Sequence, residues 1–257
     1  MMNKTKIEWC DMTWNPVTGC YHGCEYCYAR RIAERFKGEY NFETLMHEQQ
    51  TEFPCVVAEK YKSPYPCGFT PTFHSYRLDE PQRVKKPQTI FVCSMADLFG
   101  EWVPDEWIER VFHACEKAPW HRYLFLTKNP YRYAKLLLTG RLIDGEHIWF
   151  GTTLTGKGKL PFNAMDSKQN FVSMEPLLEP VSDKFPYTNI QWIIIGAETG
   201  NRKGRVIPQR SWIEDIAKEC DKYNIPVFMK DSLIPIIGEA AMRREFPWDA
   251  EWRQYDE

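Results

Sequence analysis

No window of the 257-residue chain holds about 18 consecutive apolar residues, so the sequence offers no transmembrane helix. Its first residues, Met1-Met2-Asn3-Lys4-Thr5-Lys6-Ile7-Glu8-Trp9, lack an apolar signal region. The expected setting is therefore cytoplasmic, or the host cytoplasm if the chain is phage-encoded. Basic charge is not in excess: 33 Lys and Arg face 35 Asp and Glu, for a formal net charge of −2. That excludes a generally basic nucleic-acid binder and leaves room only for a local basic patch. Internal repeats and low-complexity tracts are missing. The nine cysteines are an odd number with three of them clustered, which argues against a disulfide framework and for a reducing compartment. No second C-x2-C and no H-x3-H pair occurs, so the two separated ligand pairs usual for structural zinc are absent.

What the chain does have is Cys20, Cys24 and Cys27, spaced C-x3-C-x2-C within Gly19-Cys20-Tyr21-His22-Gly23-Cys24-Glu25-Tyr26-Cys27-Tyr28. By chance this spacing arises in roughly one such chain in a hundred. Three thiolates this close suit a 4Fe–4S cubane that keeps one iron open for a small molecule. Gly19 and Gly23 allow close backbone wrapping, and Tyr26 sets a ring beside the third cysteine. The pattern predicts a short strand over 13–17 before the cysteines and a helix over 28–37 after them, ending at Gly38. Two other readings stay open: a zinc site with His22 as a further ligand, and a non-catalytic iron–sulfur or zinc module for binding or electron transfer. Of the other cysteines, Cys93, Cys115 and Cys220 read as buried thiols. Cys10, Cys55 and Cys67 form no second cluster by spacing, and one of them is a candidate hydrogen-atom donor.

This cysteine pattern resembles that of the radical S-adenosylmethionine superfamily, whose hallmark is C-x3-C-x-aromatic-C in the loop after the first strand of a partial (β/α)6 barrel. The resemblance implies that Cys20, Cys24 and Cys27 ligate three irons of a 4Fe–4S cluster. The fourth iron would chelate S-adenosyl-L-methionine. Reductive cleavage would give a 5′-deoxyadenosyl radical that abstracts hydrogen from a substrate. It also implies an electron donor of the flavodoxin or ferredoxin kind.

Short β-rich runs alternate with helical stretches along the rest of the chain, which argues for parallel βα units. Strands are expected at 89–95, 122–127, 147–153, 170–174, 191–196 and 226–230, with helices at 104–117, 131–138 and 211–223. With the strand before the cysteines this makes six strands and a seventh at the C-terminal end. The stretch 69–76 is a candidate for one more. The expected architecture is α/β, a partial TIM-like (β/α)6 barrel with one or two extra strands. It would form a single domain over 1–257, with a lid or insertion at 39–75 and a C-terminal extension at 238–257.

Successive strand ends carry polar groups: Ser94 and Asp97, Lys128, Thr152 and Thr153, Glu175, Glu198, and Lys230. In parallel β/α barrels the reactive face lies at these ends. A bland reading assigns Asp97 to a helix cap and Glu175, Glu198 and Lys230 to salt bridges. The superfamily's Gly-Gly-Glu tripeptide, which holds the cofactor's amino group after the second strand, is missing here. The resemblance implies that Ser94 and Asp97 take its place, that Thr152 or Thr153 holds the ribose hydroxyls, that Glu175 contacts the ribose or the substrate, and that Lys128 pairs with the methionine carboxylate. Glu198 and Lys230 are left as candidate substrate contacts.

A closer resemblance rests on a longer set of motifs. These are Thr13-Trp14-Asn15-Pro16-Val17-Thr18-Gly19-Cys20, Ser94-Met95-Ala96-Asp97-Leu98-Phe99, Leu126-Thr127-Lys128, Ser173-Met174-Glu175-Pro176-Leu177-Leu178 and Ile195-Gly196-Ala197-Glu198-Thr199-Gly200. Together they look like a phage and bacterial three-cysteine family of unknown function. Its strand-end pattern is similar to that of spore photoproduct lyase, which acts on thymine dimers. That implies a nucleobase or nucleic-acid substrate. The tail after Gly238 departs from the pattern.

Overall fold

The computed structural model describes residues 2–38, 56–58, 63–156, 169–182 and 184–249, and the chain forms two compact units, Met1–Trp149 and Phe150–Glu257. Cys55 and much of the expected insertion lie outside the described residues, as does the end of the C-terminal extension.

The first unit contains β1 (Asn3–Lys4), β2 (Met12–Trp14), β3 (Val17–Thr18), α1 (Tyr28–Arg35), β4 (Val56–Ala58), β5 (Thr72–His74), α2 (Glu80–Arg83), β6 (Thr89–Val92), α3 (Asp105–Glu116), β7 (Arg122–Thr127) and α4 (Pro130–Leu138). Strands β2, β6 and β7 are neighbours and parallel, with Trp14 beside Val92 and Val92 beside Phe125. All four residues of β6 are buried, as a strand covered on both faces requires. Helix α3 follows Pro104, carries Asp105 and Glu106 in its first turn, and buries Trp107, Ile108, Val111, Phe112 and Cys115 along one stripe. Phe112 stacks on Phe125 of β7 at 4.5 Å, which seats the helix on the sheet.

The expected strand over 13–17 divides in two. Pro16 has no N–H to continue a ladder. Its carbonyl instead accepts from His74 N at 2.7 Å, and Val17–Thr18 turns away to pair antiparallel with β5. The candidate stretch 69–76 thus supplies Thr72–His74 to a separate three-stranded sheet, β3-β5-β4, and not to the parallel set. The eighth strand of the mostly parallel set is β1, which pairs antiparallel with β2.

Strand β8 (Ile148–Thr153) leads into the second unit, which contains β9 (Asn170–Met174), β10 (Ile193–Ile195), α5 (Arg210–Lys222), β11 (Val227–Met229) and α6 (Ile234–Ile237). Here β8, β9, β10 and β11 lie in that order and are all parallel. The core consists of Val172, Met174, Ile193, Ile195, Val227 and Met229 from the strands, packed by Ile213, Ile216 and Cys220 of α5. The fold is therefore mixed α/β with eight mostly parallel strands. Cys93, Cys115 and Cys220 are buried as expected, and burial pushes the Cys93 and Cys220 thiols up to about 12.

Candidate functional site

The cysteine loop runs from β3 to α1. Gly19 starts it with φ +89°, its N–H donates to Met95 O at 2.8 Å, and a Cβ there would stand 2.4 Å from Thr70 O. Only glycine fits between these two backbones. Cys20 N donates to Phe69 O at 3.2 Å, and Cys27 N to Cys24 O at 3.2 Å. Cys27 is the N-cap of α1, and its sulfur accepts from Arg30 N at 3.4 Å. Cys20 and Cys27 pack on an apolar wall of Ala29, Ala33, Phe69 and Met95. Burial pushes the Cys20 thiol up to about 12, helped by the charge of Asp97 and the neighbouring thiols. A bound cation reverses that balance and deprotonates the thiol.

These residues fit a cluster: three half-buried free thiols in one tight loop, one of them at a helix N-terminus and two of them packed on an apolar wall. Among the described residues, no three His, Cys, Asp or Glu side chains come close enough to hold a single metal ion. A cubane spreads its thiolates over three irons, so its ligands stand farther apart than those around one ion. His22, the further ligand of the zinc alternative, has its Nε2 engaged with Asp97 Oδ2 at 2.7 Å.

Asp97 is the hub of the first unit's site. It is 5% exposed. Oδ1 accepts from Phe99 N at 3.0 Å and Thr127 Oγ1 at 2.6 Å, and Oδ2 meets His22 and accepts from Lys128 N at 2.9 Å. Burial alone would raise its pKa, but His22, the Lys128 N–H and Thr127 outweigh it and hold the carboxyl below the usual range. Four donors occupy both oxygens, so Asp97 braces the loop and strand ends. Ser94 stands differently: its hydroxyl donates to Asn15 Oδ1 at 3.2 Å and keeps its lone pairs for another donor. Asn15 Oδ1 also accepts from Met95 N at 2.9 Å. Lys128 Nζ lies 5.8 Å from the centre of the Tyr26 ring, which sets a cation beside the cysteine loop. Tyr28 OH donates to Ser94 O at 2.8 Å. Of the six predicted residues of this unit, Cys20, Cys24 and Cys27 share one loop, Asp97 and the backbone of Ser94 bond to His22 and Tyr28 of that loop and its helix, and Lys128 lies beside Tyr26.

In the second unit, Thr152 is buried in β8 beside Val172 of β9. Glu175 follows β9 and is ion-paired with Lys230, which follows β11. The pair crosses the end of β10 over Gly196, where a Cβ would meet Glu175 Cγ and Lys230 Cδ at 3.1 Å each. Glu198 is held by Arg202 in a two-pronged pair, Nε to Oε1 at 2.6 Å and Nη2 to Oε2 at 2.8 Å. Val206 N adds a longer bond at 3.4 Å. Arg202 lowers the Glu198 pKa.

The sequence reading missed His22, Asn15, Thr127 and Arg202 as partners. Only the spacing of Glu198 and Arg202, four residues apart, announced a contact. His22 lies 75 residues from Asp97 and carried no such signal.

The mostly parallel α/β fold is similar to that of a spore photoproduct lyase mutant, with a TM-score of 0.51 at 10% identity over 90% of this chain and 79% of the other. Two further structures match over 86% of this chain and 64% of theirs. They are spore photoproduct lyase complexed with dinucleoside spore photoproduct (TM-score 0.47, 10% identity) and a mutant with bound AdoMet and the same dinucleoside (0.49, 9%). No curated protein matches the sequence. The chain belongs to the family described as "Protein of unknown function (DUF5131)", whose model matches residues 4–234. Among the described residues no helix is long and apolar enough to cross a membrane.

Proposed function

We propose that this chain is a radical S-adenosylmethionine enzyme acting on a nucleobase or nucleic acid. One observation carries the reading: a C-x3-C-x2-C loop that caps a helix with its third cysteine and is clasped by His22 to a strand-end carboxylate. The fold likeness to spore photoproduct lyase supports the architecture such an enzyme needs, and we infer a partial barrel for the strands. When bound, the 4Fe–4S cluster and S-adenosylmethionine supply a 5′-deoxyadenosyl radical that takes a hydrogen atom from substrate.

The chain's own residues hold and orient. Cys20, Cys24 and Cys27 bind the three irons. Ala29, Ala33, Phe69 and Met95 keep water from them. Asp97 fixes His22 and thereby the loop, while Ser94 offers its oxygen to the cofactor's ammonium. Lys128 sets its charge for the methionine carboxylate. In the second unit Thr152 and Glu175 serve the ribose, and Glu198 and Lys230 the substrate. The Glu175–Lys230 ion pair holds both side chains at the strand ends, where a ligand can exchange with one of them.

Anaerobic loading with iron and sulfide tests this. The expected product after reduction with dithionite in the presence of S-adenosylmethionine is 5′-deoxyadenosine, lost by about a thousandfold in Cys24→Ala. A loaded chain that binds S-adenosylmethionine without cleaving it would sink the enzymatic claim. Salt-sensitive binding of an oligonucleotide is expected, and its absence removes the nucleic-acid substrate.

A further inference from the structure

We propose that the exposed face of α1 is the docking surface for a small acidic one-electron donor protein, an inference that rests on the cluster reading above. Helix α1 buries two residues, Ala29 and Ala33. Its outer face exposes Tyr28 by 45%, Ile32 by 38% and Phe36 by 54%. Spaced four apart, these three form one stripe along the helix.

Arg31, Arg35 and Lys37 are exposed beside that stripe, and the Arg35 guanidinium lies 5.4 Å from the centre of the Phe36 ring. Residues 28–37 hold four basic side chains, Arg30, Arg31, Arg35 and Lys37, against the single acidic Glu34, in a chain whose net charge is −2. Glu34 is itself engaged, accepting from Phe69 N at 3.2 Å and lying 3.9 Å from Lys37 Nζ, so Arg31 and Arg35 carry the positive charge of this face. Aromatic and aliphatic anchors ringed by arginine are the make-up of a protein interface. The positive ring selects an acidic partner and speeds its approach.

Position decides what that partner delivers. The stripe begins at Tyr28, the residue after Cys27, whose sulfur accepts from Arg30 N. A protein seated here stands against one of the thiolates of the redox centre. The transfer makes and breaks no covalent bond: the donor is oxidised by one electron and the centre is reduced by one. A nucleic-acid strand would match the arginines but leaves Ile32, the middle of the stripe, without a counterpart.

The test uses the cluster-loaded full chain, with Arg31→Gln/Arg35→Gln and Ile32→Gln as variants. Bleaching of the cluster absorbance is followed with fully reduced flavodoxin and, separately, with dithionite. The expected result is a flavodoxin rate about tenfold lower in the variants, a wild-type rate that falls steeply with salt, and dithionite rates unchanged. Equal flavodoxin rates in wild type and variants overturn the docking surface alone. So does equal slowing with both reductants, or loss of oligonucleotide binding in place of the flavodoxin effect. A lower melting temperature in the variants also overturns it, because the chain itself would then cover the face. A wild-type chain that takes up no iron overturns the cluster reading, and this inference with it.

Discussion

The strand ends of the two units carry carboxylates of opposite habit. In the first unit Asp97 is buried and bonded by two backbone N–H groups, a hydroxyl and an imidazole. In the second unit Glu175 and Glu198 are each paired with one cation, Lys230 and Arg202. A carboxylate held by short-range backbone donors cannot be exchanged without unmaking the loop around it. A carboxylate held by a cationic side chain can trade that partner only for a ligand that supplies a cation or donor in its place. The first arrangement suits a platform that must keep three cysteines in register, and the second suits a surface that meets changing ligands.

Substitutions should separate the two habits. The largest effect is expected for Asp97→Ala, which strands four donors at once and should cost about 3–5 kcal/mol by urea denaturation of the metal-free chain. A loss under about 1 kcal/mol would mean that the carboxylate is not the brace described. Lys230→Met should cost about 1–2 kcal/mol, because it leaves Glu175 without its cation. The double variant Glu175→Leu/Lys230→Met should recover most of that loss. A double variant no better than the single would contradict the exchangeable pair. The smallest effect is a pH effect at Glu198. Its folded pKa lies below the ordinary 4.5 because of Arg202. The stability it adds is therefore complete above the unfolded pKa and is lost as pH falls through the folded one. Acid titration of Glu198→Gln should show a shallower loss of stability below about pH 4.5 than wild type, and parallel curves would remove the pair from the account.

Much of this was legible in the residues. The parallel strands β6 to β11 declare themselves as short apolar runs between helical periods, because a strand buried on both faces has no polar side to alternate with. Helix α3 is announced by Pro104 and two acids in its first turn. The strand before the cysteines is less simple than its residues suggest. Thr13 to Val17 looks continuous as a string of residues, yet Pro16 splits it, and the second half joins another sheet.

What the chain determined by itself is local: the C-x3-C-x2-C spacing, the glycine that lets the loop pass between Met95 and Thr70, and the helix that starts at Cys27. Such features depend on neighbours within a few residues, so they are written in order along the chain. The tertiary structure alone decided that His22 meets Asp97 across 75 residues and that Lys230 meets Glu175 across 55. Those contacts follow from which strands lie side by side and in what register. A shift of one residue in a parallel pair sends every side chain to the opposite face.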